Sequence, residues 1–181
     1  MAIVSSDIKL KLSIKTGSAG NSAAQSDVNQ SLGKYISTTE ITDNTLNNLF
    51  DNISGDENAA STVDYRCIFI HNSHATLTLI SPKVWLSAEV SGGATVEIAI
   101  DDVTASAIGG SSAQAAEITN ETTAPSGVGS FSSPTTKGAG LTLSDLPAGQ
   151  CRAIWVKRTA ANSAAINNDG FTLRVEGDTA A

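Results

Sequence analysis

A chain of 181 residues with 40% hydrophobic, 4% aromatic and 16% charged residues is long enough to bury a core without disulfide staples, and it must build that core from small apolar side chains. A formal net charge of −7 and an isoelectric point near 4.6 disfavour DNA, RNA and anionic membranes as partners, because binding to them rests largely on neutralising phosphate. So low a charge content also excludes a disordered acidic tail and long exposed helices.

The first residues, Met1-Ala2-Ile3-Val4-Ser5-Ser6-Asp7, hold no apolar signal-peptide core, and no stretch is long enough to span a bilayer. The expectation is synthesis in a cytoplasm, with the sequons at Asn29, Asn52 and Asn120 as chance matches. Cys67 and Cys151 are then expected as two buried thiols, with a disulfide between adjacent strands as the alternative.

Ile8, Leu10, Leu12 and Ile14 alternate with Lys9, Lys11, Ser13 and Lys15, which predicts a half-buried strand. Lysines on its outer face suit an edge strand that resists stray pairing. Residues 16–33 are small and polar and read as a flexible linker or loop. A neighbouring subunit is the natural candidate to hold such a segment down. Leu46, Leu49, Phe50 and Ile53 fall at helical spacing, so a helix is predicted over 42–54, capped by Thr42 or Asp43 and ended by Gly55. Residues 55–62 read as a polar loop.

From Asp64 the pattern becomes that of strands. Tyr65 to His71 contains the run Cys67-Ile68-Phe69-Ile70, which predicts burial on both faces. A turn at Asn72-Ser73 leads to a strand from Ala75 to Ile80, broken at Ser81-Pro82. Val84, Leu86, Ala88 and Val90 alternate with Trp85, Ser87 and Glu89. Gly92-Gly93 predicts a two-residue hairpin to Val96, Ile98 and Ile100, because primed turns need positive φ. Residues 104–137 read as a long surface excursion, within which Ala113 to Thr119 fits either a strand or a short helix. Leu141 and Leu143, then Cys151 to Arg158, then Phe171, Leu173 and Val175 supply the last strands, separated by turns at 146–149 and 162–169. Short strands without a βαβ rhythm predict a mainly β fold, an antiparallel β-sandwich of jelly-roll-like form with an extended N-terminal arm and one short helix. The arm, first strand and helix occupy 1–62 and the sandwich 63–181.

The residue types that carry chemistry do not gather. Cys67, His71, His74 and Cys151 offer zinc-binding atoms, but Cys67 and His71 on one strand lie roughly 13 Å apart, too far to share an ion without a bend. Asp101-Asp102 and the group Asp51, Asp56 and Glu57 offer oxygens for calcium without the spacing of a calcium loop. With two histidines near one turn and no nucleophile elbow or phosphate-binding glycine loop, neither an enzyme nor a cofactor is expected. Arg152, Lys157 and Arg158 form the one basic set, read as the solvated edge of a strand. Trp85 faces away from the Val/Leu row and is a candidate exposed aromatic, whereas Trp155 reads as core.

Asp64-Tyr65-Arg66-Cys67-Ile68-Phe69-Ile70-His71-Asn72, Val84-Trp85-Leu86, Gly140-Leu141-Thr142-Leu143-Ser144-Asp145-Leu146-Pro147-Ala148-Gly149-Gln150, Ala153-Ile154-Trp155-Val156-Lys157-Arg158 and Phe171-Thr172-Leu173-Arg174-Val175-Glu176-Gly177 together resemble tailed-bacteriophage virion proteins over roughly residues 64–178. The resemblance implies a non-catalytic structural role in the virion head, as a capsid decoration or cement protein. It would bind the major capsid protein and copies of itself, with a homotrimer as the expected assembly. The expected contact is the N-terminal strand, Ile8, Leu10, Leu12, Ile14, Lys9 and Lys11, added to a neighbour's sheet. A head–tail connector, tail or fibre component is the alternative within the virion. A carbohydrate-binding sandwich module using Trp85 is the alternative of another class.

Overall fold

The computed structural model describes residues 2–179. It is mainly β, with two antiparallel sheets and a single short α-helix. The large sheet has the strand order β2 (Tyr35–Glu40), β1 (Ile8–Ile14), β3 (Val63–Asn72), β8 (Gln150–Thr159), β5 (Thr95–Ile100), and the two-residue β6 (Ser106–Ala107) also pairs with β8. The small sheet has the order β7 (Leu141–Thr142), β4 (Leu79–Glu89), β9 (Phe171–Thr179). The stretches 1–62 and 63–181 meet within one sheet, since β1 pairs with β3 from Ile8↔Asn72 to Leu12↔Ile68.

Alternation along the two central strands builds two cores. Ile68 and Ile70 of β3, with Ile154 and Val156 of β8, face the small sheet and pack with Val84 and Leu86 of β4. Cys67 and Phe69, with Ala153 and Trp155, face the other way and pack with Leu32, Ile36, Ala115 and Ile118. The Cys67–Ile70 run is therefore buried on both faces, as expected. The cover over the second face comes from the two segments read as loops. Residues 16–33 are not a flexible linker. The chain folds back along the outside of the large sheet, where Ser31 is fully buried and bonds Cys67 O (2.7 Å) through Oγ, and Gly33 bridges to Glu117. Residues 104–137 are likewise tied down, with Ala113 to Thr119 forming neither a helix nor a named strand.

Three local expectations are corrected. Residues 42–54 form no helix. Asn44 and Asn47 both take φ of 56°, a left-handed conformation that asparagine tolerates and that ends any helical run. Leu49 is buried while Leu46 is 70% exposed, so the apolar stripe is split. The helix, α1 (Gly55–Ala60), begins where the loop was expected. Ser54 and Glu57 form a reciprocal capping box, with Ser54 N–H donating to Glu57 Oε2 (2.7 Å) and Glu57 N–H to Ser54 Oγ (3.3 Å). Ser81-Pro82 does not end a strand, because β4 passes through it with an irregular register between Ile80 and Lys83. Gly92-Gly93 makes no hairpin. It carries the chain from β4 in one sheet to β5 in the other, with Gly92 at φ +83° and Gly93 so close to the Asp169 carboxylate that a Cβ would overlap it.

Candidate interaction surface

The strand expected to bind a neighbour is inside the large sheet, paired on one side with β2 and on the other with β3. It is not an edge: Ile8 to Leu12 pair with β3, and Lys11 to Ile14 with β2. Leu12 and Ile14 are buried, as is Lys11, whose Nζ donates to Asn21 Oδ1 (2.9 Å). Lys9 pairs with Glu40 (3.3 Å). Ile8 and Leu10 are half-buried and reach the wall of an open cleft described below.

Several of the groups considered for chemistry have a structural engagement. Cys67 and Cys151 are free, buried thiols. Burial pushes Cys67 well above the usual thiol range and Cys151 up to about 12. His74 Nδ1 accepts from the N–H groups of Thr76 (3.1 Å) and Leu77 (3.0 Å), so this ring caps its own turn. Among the described residues no three His, Cys, Asp or Glu side chains are grouped to hold a metal. Asp56 and Glu57 sit in the first turn of α1. The fully buried Asp101 accepts from Trp155 Nε1 (2.8 Å), Ala116 N–H (2.9 Å) and Val103 N–H (2.9 Å). Trp155 is core, as expected. Trp85 is only 7% exposed, so the carbohydrate-binding alternative loses its aromatic platform.

His71 is buried opposite Cys151 in the sheet register, and its Nδ1 has no hydrogen-bond partner among the described residues. Burial, then the charge of Lys11, holds its pKa below the ordinary 6.5; Lys9 acts in the same direction and Glu40 against it. The unfolded chain therefore takes up this proton first as the pH falls. Stability is intact above pH 6.5 and is lost below it, towards the lower folded value. Thermal melting of wild type and His71→Gln at pH 7.5 and pH 5 should show a smaller acid-induced loss in the variant; equal losses would remove His71 as the cause.

The basic set on β8 is not a solvated edge, because β8 lies between β3 and β5. Lys157 pairs with Glu97 (2.5 Å), and Arg152 bonds Ser144 Oγ (2.7 Å) and Asp101 O (3.1 Å). Arg158 pairs with the buried Asp64 (2.7 Å) and with Asp51 (3.3 Å). Arg66, which the sequence reading passed over, is fully buried beside it and bonds Glu121 and Asn29. Both guanidinium groups lie over the Phe50 ring, at 5.1 Å for Arg66 and 4.6 Å for Arg158. Asp64 and Arg66 have the same parity on β3 as Ile68 and Ile70, so this cluster closes one end of the core between the sheets. Its signal in sequence is faint: Asp64 and Arg158 become opposite only through the β3–β8 register.

The sheet edges show where the molecule is unfinished. Along β2, Asn21 N–H donates to Ile36 O (2.6 Å), Thr38 N–H to Ala23 O (2.9 Å) and Ile36 N–H to Gln114 Oε1 (3.1 Å). Along β5, Ile98 and Ser132 exchange both backbone bonds (2.8 and 3.0 Å) and Gly129 N–H donates to Ile100 O (2.9 Å). β7 has two residues. That leaves β9, nine residues long and, among the described residues, paired only with β4. Its inward row, Phe171, Leu173 and Val175, is half-buried, whereas Val84 and Leu86 beside it on β4 are fully covered. Between this edge and β1 opens a cleft of about 300 Å³ lined by Ile3, Val4, Ser5, Ile8, Leu10, Leu79, Val175, Glu176 and Gly177. Val4 is 56% exposed at its rim. An exposed ladder of backbone donors and acceptors next to an apolar cleft can accept an added strand. No protein-family model, no curated protein and no solved structure matches this chain, so the open β9 edge, rather than kinship, is the feature on which a functional reading turns.

Proposed function

We propose that the protein is a non-catalytic structural component of a tailed-phage virion, a head decoration or cement protein made in the host cytoplasm and bound to the major capsid protein and to copies of itself. The observation that carries this reading is the β9 edge: among the described residues three of the four sheet edges are covered or very short, and the fourth is long and open beside an apolar cleft. Such an edge joins proteins through main-chain hydrogen bonds, with side-chain pockets setting the partner. The strand-and-turn resemblance over residues 64–178 supports the same role. Bound only to the assembled shell, the protein stabilises that state by mass action.

Purified protein mixed with phage heads that lack it should sediment with them, and immunogold labelling should decorate the shell. Labelling at the tail would move the protein to a connector, tail or fibre role. Failure to sediment with any particle would end the virion reading.

A further inference from the structure

We propose that the β9 edge is completed by β9 of a second copy, in an antiparallel twofold pair centred on Val175. This rests on reading the edge as an assembly surface and names its partner.

The backbone groups that face the free edge can be identified. Leu86 N–H donates to Pro134 O, and Leu79 exchanges both of its backbone bonds with Leu146. Neither residue therefore bonds its register partner on β9, Leu173 and Thr179 respectively. In an antiparallel ladder a residue's N–H and C=O point to the same side, and the side alternates along the strand. Leu173 and Thr179 thus point away from β4, and so do Phe171, Val175 and Gly177. Gly170 O, of the other parity, accepts from Val90 N–H on the β4 side, as the alternation requires. Pairing these five residues with those of a second copy offers up to about ten main-chain hydrogen bonds.

The side chains make the edge fit itself. Thr172, Arg174, Glu176 and Asp178 point outward from the sandwich and are exposed. Charges on an edge ordinarily discourage stray strands. Here the sign changes across Val175. A twofold axis at that residue sets Arg174 opposite Glu176 of the second copy, and the reverse, while Thr172 meets Asp178. These are the non-hydrogen-bonded positions, where facing side chains come closest. Lys137 already contacts Glu176 from the same protomer and would join the pair. On the inner face, Val175 of each copy stands beside the other at the mouth of the cleft, adding apolar cover to a row now only half-buried. A threefold assembly would have to use another surface, since a strand edge of this kind closes on one partner.

Charge reversal tests the pairing. Sedimentation equilibrium over a range of concentrations should give twice the 18.5 kDa chain mass for wild type. Arg174→Glu and Glu176→Arg should each weaken the dimer by roughly tenfold or more, because each sets like charges opposite at two symmetric positions. The double variant Arg174→Glu/Glu176→Arg should recover dimerisation. Both positions are exposed, and unchanged circular dichroism would certify the fold. A wild-type monomer, a trimer unaffected by Arg174→Glu, or a double variant no tighter than the singles would overturn the proposal. Head sedimentation of the same variants separates the two readings. A monomer that binds heads and loses them on Arg174→Glu overturns the twofold pair and leaves the virion role standing. A monomer without affinity for heads removes both.

Discussion

Arg158→Ala should lower the unfolding free energy by about 3–5 kcal/mol, the range expected when one partner of a buried ion pair is removed. The charge it would leave behind is Asp64, which is 3% exposed and whose Oδ1 already lacks a hydrogen-bond partner among the described residues. Arg158 supplies Asp64 Oδ2 with two bonds, from Nη2 (2.7 Å) and Nε (3.2 Å), so the truncation removes both of them at once. The same truncation opens one side of the Phe50 ring. Urea unfolding followed by tryptophan fluorescence, with linear extrapolation to water, measures the loss. The double variant Asp64→Leu/Arg158→Met should be markedly more stable than Arg158→Ala, since removing both charges also removes their desolvation penalty. If Arg158→Ala cost less than about 1 kcal/mol, the magnitude of an exposed surface pair, the cluster would be behaving as a surface feature.

Trp155→Ala should cost a comparable amount, about 3–5 kcal/mol, by emptying a large buried site. Trp155 is fully buried in the core on the outer face of the large sheet, and its Nε1 anchors Asp101. Trp155→Phe separates packing from the hydrogen bond. It keeps an aromatic ring in place and should cost about 1 kcal/mol, the low end for a lost bond, because Asp101 retains the N–H groups of Ala116 and Val103. Asp101 thereby ties Val103, and Ala116 of the surface excursion, to β8. Hydrogen exchange at Ala116 should accelerate in Asp101→Ala and change little in Trp155→Phe. Equal acceleration in both would mean that the indole, rather than the carboxylate, holds the excursion down.

The mainly β sandwich is legible because strand signals are local: Ile8–Ile14 and Phe171–Val175 alternate with period two, and Tyr65–His71 and Cys151–Arg158 carry the short apolar runs of strands buried on both faces. What misled was chemistry with two local solutions. The stripe Leu46-Leu49-Phe50-Ile53 has helical spacing, yet its asparagines accept left-handed backbone as readily as a turn of helix, while Ser54-x-x-Glu57, directly after the stripe, marks the true start of the helix. Gly92-Gly93 permits a tight turn but does not choose between returning in the same sheet and crossing to the other. Lysine alternation on β1 reads as an exposed face, but Lys11 is buried and β1 is interior, because Tyr35–Glu40, with only Tyr35 and Ile36 apolar, forms a strand along its other side. The open edge itself was not visible in sequence. The β9 pattern of apolar and charged residues is the same whether a strand is covered on both sides or on one, and only the topology decides.

The position of β3 and β8 at the centre of the large sheet sets the order in which the chain can mature. Their nine register pairs join Val63–His71 to Cys151–Thr159, so a ribosome must pass Thr159 before the central seam can close. Until then the Cys67–Ile70 stretch, apolar on both faces, has no lasting shelter. Pairing so remote along the chain belongs to the slow class of folding, milliseconds to seconds rather than microseconds, which makes the interval after synthesis the time at which this protein is most exposed to aggregation and to capture by chaperones.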